Sequence, residues 1–159
     1  MDTRVLTFLF NCARRIKPVG AVSDFLCKYS SAAFFLIYYA GAVHLIFTDI
    51  RALIFYLVVP FCTLAASWII KNAVKRKRPF NGEKGGYSFP SNHSASAGII
   101  AFACLFINTG FGVPVSVFAL LTGTSRVTAG IHYPSDILAG FALSTLFAVP
   151  GFYILPFVI

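Results

Sequence analysis

Charged residues are scarce in this 159-residue chain: they make up 11% of it, where a soluble domain carries about a quarter. So little polar surface cannot cover the chain in water, which excludes an ordinary soluble domain and the polar composition of a disordered one. Carboxylates are rarer still, with five Asp and Glu against 13 Lys and Arg, a net charge of +8. The four cysteines, at positions 12, 27, 62 and 104, are scattered without close spacing. They indicate neither a disulfide scaffold nor a zinc site, and say little about redox compartment. No glycine-rich loop of the nucleotide-binding kind occurs. No internal repeat, low-complexity tract or long linker divides the chain, which reads as one domain over residues 1–159.

What is present is apolar: 58% of the residues are hydrophobic, 18 of them Phe. That composition belongs in a bilayer, with room for about five or six spans at roughly 20 residues each. Residues 1–29 are not a clean span, because Arg14, Arg15 and Lys17 interrupt the apolar run. Each would cost roughly 2.5–3.5 kcal/mol at the centre of a spanning helix. The segment is expected to be an interfacial amphipathic helix with Leu6, Leu9, Phe10 and Ala13 facing lipid; a first span with a snorkelling basic cluster is the alternative. It does not read as a signal peptide, since its basic residues follow the apolar stretch. Residues 30–159 form the transmembrane core. Ser30–Phe47 and Ile50–Ile70 make a hairpin turning at Thr48-Asp49, and Ser94–Ile107, Val113–Thr124 and Ile137–Phe157 complete five spans. The stretch Asn108–Gly112 reads as a tight turn. The expected fold is all-α, a polytopic membrane helical bundle of about five transmembrane helices plus the N-terminal interfacial helix.

Alternation then brings three sequence-distant polar segments to one face. In the first, Lys71, Lys75 and Arg78 share a helix face if the helix continues to Pro79; alone, this is also an ordinary basic collar at a membrane surface. In the second, Pro90-Ser91-Asn92-His93 opens a helix whose N-terminus suits an anion, with His93 in its first turn. In the third, Ser125-Arg126 is followed by His132 and Asp136, with Pro134 in the first turn of the last helix. A carboxylate beside an imidazole can hold one ring N–H and free the other nitrogen to attack; a helix-start Asp and a loop His is the plainer reading. Scarce polar residues at membrane depth are functional by default. Lys71, Arg78 and Arg126 suit a dianionic phosphate, the arginines as planar forks and the lysine as a point charge. Two imidazoles beside them point to covalent phosphoryl transfer. The motif residues include one acid, too few to hold a metal ion, so no metal or other cofactor is expected.

Lys71-x6-Arg78-Pro79, Pro90-Ser91-Asn92-His93 and Ser125-Arg126-x5-His132-x3-Asp136 together resemble the three signature motifs of the type 2 phosphatidic acid phosphatase (PAP2) superfamily, which includes bacterial lipid phosphatases and vanadium haloperoxidases. The resemblance extends from Lys71 to Asp136, in the right order, and implies a PAP2-like core. It implies that His132 is a nucleophile forming a phosphohistidine, that Asp136 orients it, and that His93 is the general acid and then the base. It assigns phosphate binding to Lys71, Arg78 and Arg126, completed by Ser91 and a backbone N–H near Asn92 or His93. There are two departures from the pattern. Asn92 stands where the family usually has Gly, and Asn is the side chain that best tolerates left-handed backbone angles. The family core commonly has six spans, against five here.

The implied activity is hydrolysis of a phosphomonoester or diphosphate of a membrane lipid: phosphatidylglycerophosphate, a polyprenyl phosphate or diphosphate, phosphatidate or a lipid A phosphate. The expected partners are that lipid and the bilayer, with no nucleic acid. A phosphotransferase using the same intermediate and a non-catalytic anionic-lipid binder are the alternatives. The expected location is a bacterial cytoplasmic membrane, with the site on the extracytoplasmic side, although the basic residues crowd the site's face and the positive-inside rule would turn that face inward. His44, inside an apolar run, has no assigned part.

Overall fold

The computed structural model describes residues 2–80 and 86–157. Among them the order is α1 (Asp2–Arg15), α2 (Lys17–Thr48), α3 (Ile50–Val74), α4 (Asn92–Ile107), α5 (Thr109–Thr128), α6 (Pro134–Tyr153) and a 3-10 turn at Leu155–Phe157, with no strand. Helices α2, α3 and α6 are long and apolar enough to cross a bilayer. Their outward side chains, among them Phe35, Phe47, Phe61, Trp68, Leu138 and Leu146, are more than half exposed. Such a surface is stable against lipid and not against water.

Helix α4 is the centre of the bundle and packs against α2, α3, α5 and α6. Its 16 residues rise only about 24 Å, short of a hydrocarbon core of about 30 Å. It therefore cannot carry both of its ends to the two surfaces of the bilayer. Ala95, Ala97, Gly98, Ala101 and Ala103 let the neighbouring helices approach closely, the usual means of helix packing where lipid removes the hydrophobic drive. Gly112 and Gly140 serve the same end: a Cβ on Gly112 would lie 2.5 Å from the Leu105 backbone, and one on Gly140 would lie 2.7 Å from the Ser91 carbonyl oxygen.

The hairpin between α2 and α3 turns at Asp49, as the sequence indicated. The Asp49 side chain caps α3 by accepting from the N–H groups of Arg51 and Ala52, both at 3.0 Å. Other boundaries differ from expectation. The chain breaks at Ile16, ahead of Pro18, so residues 17–29 belong to α2 and not to a separate segment. At 32 residues, α2 is about 48 Å long and outruns the hydrocarbon core, so its basic first turns need not enter lipid. Helix α5 is longer at both ends than Val113–Thr124, and a single residue, Asn108, replaces the five-residue turn by capping α5 through Phe111 N–H at 3.1 Å.

The apolar face of α1 is also placed differently. Leu6 and Ala13 are buried against protein, with Leu6 on Val127 and Ile137, Leu9 beside them, and Phe10 against Phe80 at 5.2 Å between ring centroids. The end of α5 and the start of α6 supply an apolar shelf that lipid was expected to provide. A bidentate Arg14–Asp24 pair at 2.8 and 3.0 Å closes the elbow between α1 and α2; being exposed, it contributes little to stability.

The close approach of α6 to the start of α4 is open to test. Gly140→Ala is expected to cost about 1–3 kcal/mol by overpacking. It should lower the thermal unfolding midpoint of the protein in detergent; an unchanged midpoint would contradict the contact.

Candidate functional site

The site begins with the way α5 ends. Gly130 takes a left-handed conformation, with φ of 71°. Its N–H donates to the Val127 carbonyl at 2.9 Å, and the Ile131 N–H donates to the Arg126 carbonyl at 3.0 Å. This is a Schellman turn, and glycine is the residue that enters it without strain. The turn reverses the chain so that His132 points back into the bundle. Pro134 then starts α6, and Asp136 caps that helix by accepting from the Tyr133 N–H at 2.9 Å.

His132 and Asp136 are 1% and 0% exposed, with Nδ1 of His132 3.4 Å from Oδ2 of Asp136. Ser88 sits between them. Its hydroxyl donates to Oδ2 of Asp136 at 2.5 Å and lies 3.3 Å from Nδ1 of His132. On the other side of the ring, Arg78 Nη1 stands 3.1 Å from Nε2. A guanidinium can only donate, so Nε2 must carry the lone pair and Nδ1 the proton. Burial holds the imidazole below its ordinary pKa, against the opposing hydrogen bond to Asp136, and nearby Arg78 adds to the lowering. The ring thus favours its neutral form, with the lone pair of Nε2 turned toward a cation.

The other sequence-assigned residues gather around it. Lys71, Arg78 and Arg126 are near enough to His93 for their charges to act on it, and His132 is within the same reach. Lys71 is held by the carbonyls of Tyr87 and Pro90 at 3.0 and 2.6 Å. Arg126, 4% exposed, donates to Ser30 at 3.3 Å. The Nε–H groups of Arg78 and Arg126 are buried without a partner among the described residues. His93 lies in the first turn of α4, as expected. Ser91 is the N-cap of that helix: its hydroxyl accepts from Ser94 N–H at 3.3 Å and Ser94 Oγ at 3.2 Å, and its own N–H donates to the Asp136 carbonyl at 3.0 Å. Its hydroxyl therefore serves the helix start first. Asn92 is exposed and its carbonyl oxygen is taken by Ser67 at 2.9 Å. Its backbone N–H and that of His93, in the first turn, have no intrahelical acceptor. His44 lies outside this cluster, exposed on α2 four residues before Thr48.

The helical continuation through Lys75 to Arg78 does not occur. Helix α3 stops at Val74, and Lys75 caps it in a left-handed conformation, with φ of 51°. Arg78 reaches the site from irregular backbone beyond the helix, and Lys75 is exposed. The same change turns Arg76 inward, where Nη1 pairs with Oδ1 of Asp136 at 2.8 Å. The sequence reading assigns Arg76 no part in the site. It also missed Ser88, Ser30 and Asp2; the serines carry no distinguishing pattern, and Asp2 lies far away in sequence. The signal for Arg76 was the charge count, since a buried carboxylate requires a cation.

A profile of the PAP2 superfamily matches residues 50–158. Undecaprenyl-diphosphatase BcrC of Bacillus subtilis is 44% identical over 59 residues, 37% of this chain and 31% of that protein. Lipid A 1-phosphatase of Rhizobium johnstonii is 36% identical over 115 residues, 63% of this chain and 46% of that protein. The chain thus spans less than half the length of these curated relatives. The crystal structure of a transmembrane PAP2-type phosphatidylglycerolphosphate phosphatase from Bacillus subtilis superposes with a TM-score of 0.74 at 24% identity, covering 94% of this chain and 83% of that one.

The geometry around His132 predicts its titration. In 15N-histidine NMR, the resonance lost in His132→Gln should titrate below the ordinary 6.5 and report the Nδ1–H tautomer. A pKa at or above 6.5 would contradict the burial and the Arg78 contact.

Proposed function

This chain belongs to the PAP2 superfamily, and from that premise we propose that it is a membrane lipid phosphatase working through a phosphohistidine. In this reading Nε2 of His132 attacks phosphorus, and the bond from phosphorus to the lipid oxygen breaks as His93 supplies that oxygen with a proton. Water then attacks the phosphohistidine, passing a proton to His93. The phosphorus–nitrogen bond breaks, releasing inorganic phosphate and neutral His132. Asp136 and Ser88 hold the Nδ1 proton throughout. Lys71, Arg78 and Arg126, with the first-turn N–H groups of α4, meet the charge that builds on the phosphoryl oxygens.

The observation that carries the proposal is the pair of buried Nε–H groups on Arg78 and Arg126, without protein acceptors among the described residues. Buried donors of this kind are costly unless an acceptor meets them. An anion seated beside Nε2 of His132 would be that acceptor. The only carboxylate among the assigned residues already pairs with Arg76, so the remaining charge suits an anion and not a metal ion.

The substrate class follows from depth. The site lies at the ends of bilayer-length helices, which favours a phosphate whose other end stays in lipid. Phosphatidylglycerophosphate, polyprenyl phosphates and diphosphates, phosphatidate and lipid A phosphates share that chemistry, and the similar proteins named above act on lipid-linked phosphates of this kind. The site faces the extracytoplasmic side in this proposal, and α1 lies at the interface on that side.

Two experiments test this reading. Purified protein should release phosphate from at least one of these lipids with chelator present, and His132→Ala should lower the rate by about a thousandfold or more. Release unaffected by His132→Ala would leave only an anionic-lipid binder, and transfer to an added acceptor without free phosphate would indicate a transferase. Separately, a reporter fused at the Asn108 turn should read cytoplasmic; a periplasmic signal there would reverse the orientation.

A further inference from the structure

Asp2, at the start of α1, is 134 positions away from Asp136 in sequence and sits beside it in space. The connection runs through Arg76. One guanidinium nitrogen, Nη1, donates to Oδ1 of Asp136 at 2.8 Å and to Ser135 Oγ at 2.6 Å. The other, Nη2, donates to Oδ2 of Asp2 at 2.7 Å. Asp2 also accepts from the Ser135 N–H at 3.2 Å and from the Ser135 hydroxyl. The guanidinium lies over the Tyr133 ring, 3.9 Å from its centroid. Arg76 is thereby fixed in plane and direction, with its two ends committed to two different carboxylates.

That division matters for His132. An Arg with both terminal nitrogens free grips a carboxylate through two parallel bonds. Were Arg76 to do so with Asp136, both carboxylate oxygens would be drawn to it. Oδ2 would then leave Ser88 and the Nδ1 edge of His132. By holding Nη2, Asp2 limits Arg76 to Oδ1 and keeps Oδ2 on the imidazole. It also balances the guanidinium charge, so that Asp136 keeps its negative charge for the ring. Burial would raise the Asp2 pKa, but the hydrogen bonds from Ser135 and Arg76 outweigh it and hold the carboxyl below its usual range.

We propose that Asp2 and Arg76 are positioning residues for the nucleophile: Asp2 of α1 sets how Arg76 meets Asp136, and so sets the orientation of His132. The kinetic consequence rests on the phosphohistidine reading above; the geometric consequence does not. The two are therefore measured separately.

Three variants, Asp2→Asn, Asp2→Glu and Arg76→Ala, and the double variant Asp2→Asn/Arg76→Ala are compared with the parent in detergent, at equal folded fraction. The first readout is the 15N shift of the His132 ring. It should change in Asp2→Asn and return toward the parent value in Asp2→Glu; an unchanged shift in Asp2→Asn overturns the proposal even if no lipid substrate is found. The second readout is phosphate release. Asp2→Asn should lower kcat on the order of tenfold, as misplacement of a reacting group does, with KM within about twofold. Asp2→Glu should recover most of the loss. In the Arg76→Ala background Asp2→Asn should cost nothing more, because its effect passes through Arg76. An equal loss in both backgrounds would make Asp2 merely an anchor for α1 and overturn the proposal. Absence of release by the parent protein would instead refute the phosphatase reading and leave the shift measurement to decide this one.

Discussion

Asp136 has no exposed surface, and a carboxylate in that position is stable only if every lone pair is met. Arg76 meets one oxygen, while Ser88 and the Tyr133 N–H meet the other beside His132. Each of those partners is delivered by a different piece of backbone: the irregular exit from α3, the segment before α4, and the start of α6. Satisfying one buried charge therefore fixes how three sequence-distant segments meet. The cations beside it are placed as well, since Arg78 follows Arg76 out of α3 and Lys71, in the last turn of α3, is held by the Tyr87 and Pro90 carbonyls. Arg126 lies one turn before the Schellman glycine, tied to α2 through Ser30.

The bilayer accounts for why this happens at one end of the bundle. Backbone polar groups within lipid must be satisfied inside helices, so irregular chain can occur only where the helices stop. The described parts of the loops between α3 and α4 and between α5 and α6, together with the helix ends that flank them, carry nearly all the site. The connections at the opposite end are each a single capping residue, Asp49 or Asn108.

Much of this could be read from the residues alone. Apolar runs gave the helices and their alternation, and Pro90-Ser91 and Pro134 marked the helix starts that hold His93 and Asp136. What could not be read was any feature set by a backbone angle or by a distant partner. The left-handed Lys75 is one case: continuing α3 by helical periodicity puts Lys75 with Lys71, whereas the actual turn exposes Lys75 and brings Arg76 in. The face of α1 is another. Leu6 and Phe10 have the pattern of a lipid-facing helix, and nothing in that pattern distinguishes lipid from the apolar shelf of Val127 and Ile137. Ser88 illustrates a third limit, since an isolated serine gains meaning only from the carboxylate beside which it lands.

The bond from Ser91 N–H to the Asp136 carbonyl joins the first turns of α4 and α6, and Gly140 lets those helices lie nearly in backbone contact. His93 and His132 are therefore mounted on the two halves of one stiff joint. If the protein turns over a lipid phosphate as proposed, any breathing of the bundle that admits the headgroup or releases phosphate takes place around this joint and not across it. In that mechanism the proposed proton donor, His93, and the proposed nucleophile, His132, keep their separation from one step to the next.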